Sequence, residues 1–187
     1  SGTFEDIDVP PTLVSFAVDI ATEKDIITPE LKAAGNKLVW LRIPTDEYDV
    51  PKYEEVMAQY GKFTEDIRAG RIVSAYALDR HGVISAVSKM AFGNRMGVKL
   101  EHNVDARDLF APAFGDIIAE VPAEKLGELA ITYTVIGEVT DDAVFSYGDV
   151  EIPLAEAEEA WKGTLEKVFP TNSGAEGQEE VIEKGLY

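Results

Sequence analysis

The chain has 187 residues and no cysteine, with 17 Lys+Arg against 35 Asp+Glu and a net charge of −18. The missing cysteines exclude disulfides, zinc–thiolate centres, iron–sulfur clusters and cysteine nucleophiles. The acidity repels nucleic acid and anionic membrane, no run approaches the ~18 apolar residues of a membrane span, and no signal-peptide pattern is present.

At this length one domain buries about 70% of its unfolded surface and needs no staple. The composition fits a cytoplasmic protein. Ser1 in place of Met reads as the start of a processed product or an excised piece. Residues 1–12 hold Glu5, Asp6, Asp8 and Pro10-Pro11 and read as an extended lead-in. Leu13–Val18 is an apolar run of strand length. Thr28-Pro29-Glu30 has the pattern of a capped single turn with Pro at the first helical position. Lys37–Ile43 (KLVWLRI) is nearly continuously apolar, as in a strand covered on both faces.

Pro51–Ala69 predicts a helix. Its Tyr53, Val56, Met57, Tyr60, Phe63 and Ile67 recur at spacings of three and four, a core stripe, and Gly70 ends it. Ile72–Leu78 predicts a strand, and Gly82–Phe92 a helix with Val83, Ala86, Val87, Met90 and Ala91 inward. Gly93 or Asn94 is the expected stop. Val98–Glu101 reads as a strand, Asp105–Phe110 as a helical turn, Phe114–Val121 as a strand and Ala123–Leu129 as a short helix. Ile131–Val139 alternates like a half-buried strand. Thr140-Asp141-Asp142 predicts a hairpin turn into Ala143–Tyr147, and Gly148-Asp149 turns again into Val150–Ile152.

A last amphipathic helix starts at Pro153. Leu154, Ala157, Trp161, Leu165 and Val168 line one side, with acids early and Lys162 and Lys167 late, matching the helix dipole. After Pro170 the polar, Gly-rich TNSGAEGQEE has linker character. The expected fold is therefore α+β, a mixed sheet flanked by helices in layers. The expected division is one domain over 1–170 and a linker over 171–187 toward a further domain.

Little in the chain carries recognisable chemistry. His102, Asp105 and Asp108 match no metal-ligand spacing, and Asp141-Asp142 suits a turn. No metal site and no catalytic residue is expected. There is no GxSxG, no Walker A and no GxGxxG; Gly93–Gly97 follows a helix and reads as a cap and turn. What remains is Asp79-Arg80-His81-Gly82, a charged loop between a strand and a helix. A helix N-terminus presents unpaired N–H groups and partial positive charge, so it suits phosphate or a nucleotide, with Arg80 and His81 as helpers. The alternative for the same residues is a tight turn with Asp79 as a helix cap.

Three segments in order, SGTFEDIDVPPTLVSFAV, the strand–DRHG–helix ending KMAFGNRMGV, and AWKGTLEKVFP, make the chain resemble the phosphoribosylformylglycinamidine synthase family. The resemblance covers roughly residues 2–187. It points to the second aminoimidazole ribonucleotide synthetase-like C-terminal domain of the large single-chain form. It implies a three-layer α/β/α domain of a ligase of purine biosynthesis, a glutamine amidotransferase using ATP and Mg. The implied partners are the ATP-binding synthetase-like domains and the glutaminase domain of the same chain.

The family usually has Asp-Gly-Gly at the strand–helix junction. Here Gly82 matches the last glycine, while Arg80 and His81 stand where small and acidic residues are usual. The resemblance thus implies the non-catalytic, pseudo-symmetric half, with no certain cofactor of its own and no turnover in isolation. Two alternatives stand beside it: a structural docking module without a ligand, or another member of the synthetase superfamily.

Overall fold

The computed structural model describes residues 2–4, 7–9, 13–164 and 166. Strands β1 (Gly2–Phe4) and β2 (Ile7–Val9) pair antiparallel, so the described part of the expected lead-in is paired strand. The apolar run Leu13–Val18 forms no strand; it lies exposed and unpaired among the described residues. Pro29–Glu30 is a bend and not a helical turn; among the described residues before β3 the helical turn is a 3-10 turn at Glu23–Asp25.

The core is a seven-stranded sheet built from β3 (Lys37–Leu41), β4 (Ser74–Ala77), β5 (Gly97–Leu100), β6 (Ile117–Val121), β7 (Thr134–Thr140), β8 (Val144–Tyr147) and β9 (Val150–Pro153). The order across it is β4-β6-β3-β7-β5-β8-β9. All neighbours are antiparallel except β5 and β8, so the sheet is mixed. The KLVWL run is an interior strand covered on both faces, as its continuous apolarity predicts. Leu38 and Trp40 enter one core, and Val39 and Leu41 the other.

Helix α1 (Tyr53–Arg68) covers the Val39–Leu41 face through Phe63. Helices α2 (Gly82–Asn94), α3 (Ala106–Phe110) and α4 (Leu154–Gly163) cover the other face. These are three layers, as expected. All five predicted inward residues of α2 are buried. On α1, Tyr53 and Met57 are exposed, correcting the predicted stripe. The buried side of α1 runs through Val56, Phe63 and Asp66; Asp66 is fully buried and accepts from Arg71 Nε at 2.6 Å and from the amides of Ala130 and Ile131. On α4, Leu154 is buried and Ala157 half-buried. Trp161 is exposed on one side and stacks on Phe92 with centroids 5.4 Å apart. Leu165, Val168 and 171–187 lie outside the described residues.

Two turns differ from expectation for identifiable reasons. The α2 stop is Arg95, at φ 55, because the Asn94 side chain donates to Leu31 O at 2.8 Å and holds the preceding residue helical. The turn after β7 does not close a hairpin. It straddles β5, which lies between β7 and β8. Gly97 makes this possible: a Cβ there would lie 2.3 Å from Asp142 Oδ1 and 2.8 Å from Val144 N. The true hairpin is β8–β9, through Gly148 at φ 62.

The buried Glu120 on β6 organises the segment before β3. Its carboxylate accepts the Lys32 amide at 2.8 Å, the Ala33 amide at 3.0 Å and Asn36 Nδ2 at 2.7 Å.

Candidate functional site

The Asp79–Gly82 loop leaves β4, on an edge of the sheet, through the buried Leu78 and enters α2. Asp79 does not cap the helix with its side chain. It accepts the His81 amide at 2.7 Å, and its carbonyl accepts Gly82 N at 3.3 Å and Ala113 N at 3.1 Å. That backbone bond from His81, with Lys89 and the imidazole nearby, holds the Asp79 carboxyl below its usual range. The imidazole bridges the loop: Nδ1 lies 3.2 Å from Asp79 Oδ1, and Nε2 accepts Arg80 Nε at 3.2 Å. These contacts together fit the tautomer with its proton on Nδ1.

Gly82 has φ 68, and the space beside it is taken. A Cβ would meet Ala111 O at 2.5 Å and Leu109 O at 2.8 Å. Two carbonyl oxygens therefore flank the first residue of α2 and oppose an anion approaching from that side. On the outer side α2 lines a groove of about 600 Å³. Ser85, Ser88 and Lys89 supply polar groups there, with Arg80 and His81 at one end and Phe110 and Trp161 as exposed aromatic walls. Lys89 Nζ lies 3.8 Å from Asp79 Oδ2 and donates to Tyr76 OH at 3.1 Å. Of the four expected loop residues, Arg80 and His81 line the groove and Asp79 and Gly82 do not, while Lys89 and the aromatics join it. Their sequence separation hid them.

A second cleft, of about 560 Å³, was not anticipated. Its floor holds Asp116, which accepts Trp40 Nε1 at 2.9 Å and the Ile43 amide at 2.8 Å. Burial raises the Asp116 carboxyl above its usual range, against the pull of those bonds and of Arg42. Arg42 lies 3.7 Å over the Trp40 ring and pairs with Asp108 at 3.1 Å. The one available sequence signal was an acid inside an otherwise apolar strand entry, FGDII. Of His102, Asp105 and Asp108, which match no metal-ligand spacing, Asp108 is thus paired with Arg42. Asp105 caps α3 through the Arg107 amide, and His102 stacks on Tyr147 at 5.0 Å. Among the described residues no group of three or more acids and histidines is gathered as for a metal. No described helix is long and apolar enough to cross a membrane.

The seven-stranded mixed sheet with helices on both faces defines a layered α+β domain. No protein-family model matches the chain. In sequence it matches a segment of phosphoribosylformylglycinamidine synthase subunit PurL. It is 36% identical over 104 residues to that of a Nocardioides species, and 26% identical over 115 residues to that of Corynebacterium ammoniagenes. These matches cover 51% and 56% of this chain but only 14% and 15% of those relatives. Phosphoribosylformylglycinamidine synthase II of Thermotoga maritima superposes with a TM-score of 0.59 at 16% identity, covering 71% of this chain and 27% of that one. Escherichia coli HypE follows at 0.50 and 13%, covering 66% and 50%. The resemblance read from the sequence is borne out as similarity to part of PurL, and the expected fold class is borne out as well.

Proposed function

We propose that this chain is one domain, over residues 1–170, of an ATP- and glutamine-dependent ligase that converts formylglycinamide ribonucleotide to its amidine in purine biosynthesis. It serves as the non-catalytic, pseudo-symmetric half. The observation that carries the assignment is the 36% identity over 104 residues to PurL, joined to a matching fold. The solved T. maritima PurL is described with ADP, ATP and FGAR, which supports nucleotide and substrate use in the complete enzyme. Its partners on this reading are the ATP-binding and glutaminase domains of the same cytoplasmic polypeptide, with residues 171–187 as the link toward the glutaminase.

The junction residues fit a triphosphate and its magnesium poorly. Arg80 is engaged with His81 and His81 with Asp79, and the Leu109 and Ala111 carbonyls crowd Gly82. ATP and magnesium are therefore held by other domains, and this one braces the catalytic half. A residual anion site is the second reading, favoured by Arg80 and Lys89 beside the serines of α2.

Melting temperature with millimolar ATP–Mg, and separately with a ribonucleotide monophosphate, tests the two. No shift is expected from ATP–Mg. A shift abolished by Arg80→Ala establishes the anion site instead. Ammonia-dependent amidine formation by these 187 residues alone would refute the non-catalytic assignment.

A further inference from the structure

The largest unexplained feature lies outside both clefts. Leu13, Phe16, Val18 and Ile20 are each 88–96% exposed and Val14 63% exposed. Scattered surface apolar residues need no explanation, but a contiguous apolar segment of this size marks an interaction surface. No backbone hydrogen bond links residues 13–20 to another described residue. The sequence LVSFAVDI alternates. Val14, Phe16, Val18 and Ile20 make one wholly apolar set, and Leu13, Ser15, Ala17 and Asp19 the mixed opposite set. That is the pattern of a strand with one face on a core, written in residues that favour strands.

We infer that Leu13–Ile20 is a strand donated to another domain of a longer parent polypeptide. It adds to an open sheet edge with Val14, Phe16, Val18 and Ile20 facing that domain's core. Main-chain bonds along the edge supply affinity, and the alternate side chains supply register. The inference rests on the reading of the chain as one domain of a larger ligase.

Two observations select this occupant over a second copy. Each copy carries a net charge of −18, which opposes self-association. Two such segments paired together would also form only a two-stranded ribbon, marginal in water, with both apolar faces still wet. A folded sheet covers what a second copy leaves exposed. The matched segment is 14% of the PurL relatives, so most of such a polypeptide lies in other domains that can present the edge.

Hydrogen–deuterium exchange on the 187-residue chain and on the polypeptide of its full reading frame tests this. Amides 14–20 should exchange freely in the short chain and about 100-fold or more slower in the long one. Phe16→Asp with Val18→Asp should lower the melting temperature of the long polypeptide and leave that of the short chain unchanged. Fast exchange in both, or a reading frame with no further domain, overturns the inference. So does protection in the short chain that accompanies dimerisation by sedimentation. Ligase activity of the long polypeptide is measured separately. Activity with unprotected 14–20 sinks only the strand, and protection without activity sinks only the functional reading.

Discussion

Replacing Gly82 by Ala probes the contact that shapes the strand–helix junction. At φ 68 an L-residue is strained by about 1–2 kcal/mol. The added Cβ would also stand 2.5 Å from Ala111 O and 2.8 Å from Leu109 O, both backbone atoms that no rotamer change can move. Relieving such overpacking costs about 1–3 kcal/mol. The two together give a loss of about 2–5 kcal/mol, a fall in melting temperature of roughly 5–15 °C at this chain length. The built-in control is Gly61→Ala. Gly61 lies within α1 with nothing within 4 Å of the new methyl, so that change should stabilise by about 0.5–1 kcal/mol. Both variants are read by thermal melts followed by circular dichroism. A Gly82→Ala protein melting within about 2 °C of the parent would refute the close approach of 109–111 to α2, and with it the argument against phosphate at Gly82.

Other changes act elsewhere. Glu120→Gln keeps the volume but turns an amide N–H₂ toward the donors of Lys32, Ala33 and Asn36. It should cost about 2–3 kcal/mol in urea denaturation, and a loss under ~0.5 kcal/mol would show that the 32–36 segment is anchored by other contacts. Burial acts to raise the Glu30 carboxyl, yet hydrogen bonds from Lys32 and Thr28 prevail and hold it lowered to about 2. A depressed carboxylate stabilises the fold above its ordinary value of 4.5, and that contribution is lost as pH falls through about 2. The urea midpoint of the parent should therefore exceed that of Glu30→Gln at neutral pH, and the gap should close on acidification. A gap that widens instead would contradict the assignment.

Elements that carry their own periodicity were legible in the sequence. The KLVWL run announced a strand buried on both faces, and the Val83–Ala91 spacing announced the inward side of α2. What failed depended on distant partners. The Thr140-Asp141-Asp142 turn looks like a hairpin turn because nothing within it reveals that Gly97 lies between its arms. The α1 stripe misplaced Tyr53 and Met57 because the buried side of the helix runs through Val56, Phe63 and Asp66, and apolar counting does not assign an inward position to an aspartate satisfied by Arg71 and two remote amides. At the candidate site the four loop residues are contiguous and could be read directly. Lys89, Phe110 and Trp161 are assembled by packing of α2, α3 and α4, which no local pattern encodes.

The strand order also dictates when the sheet can exist. Among the described residues interior β3 pairs with β6 and β7, edge β4 with β6 alone, and β5 with β7 and β8. Until Ile117–Val121 has been made, no strand of the seven-stranded sheet has a neighbour to pair with. At translation rates of about 5–20 residues per second, the apolar KLVWL run waits roughly 4–15 s on the ribosome for its first partner. A chain that stalls or is cut before Ile117 therefore carries an unpaired interior strand, and its fate passes to chaperones and proteases before any ligand can influence it.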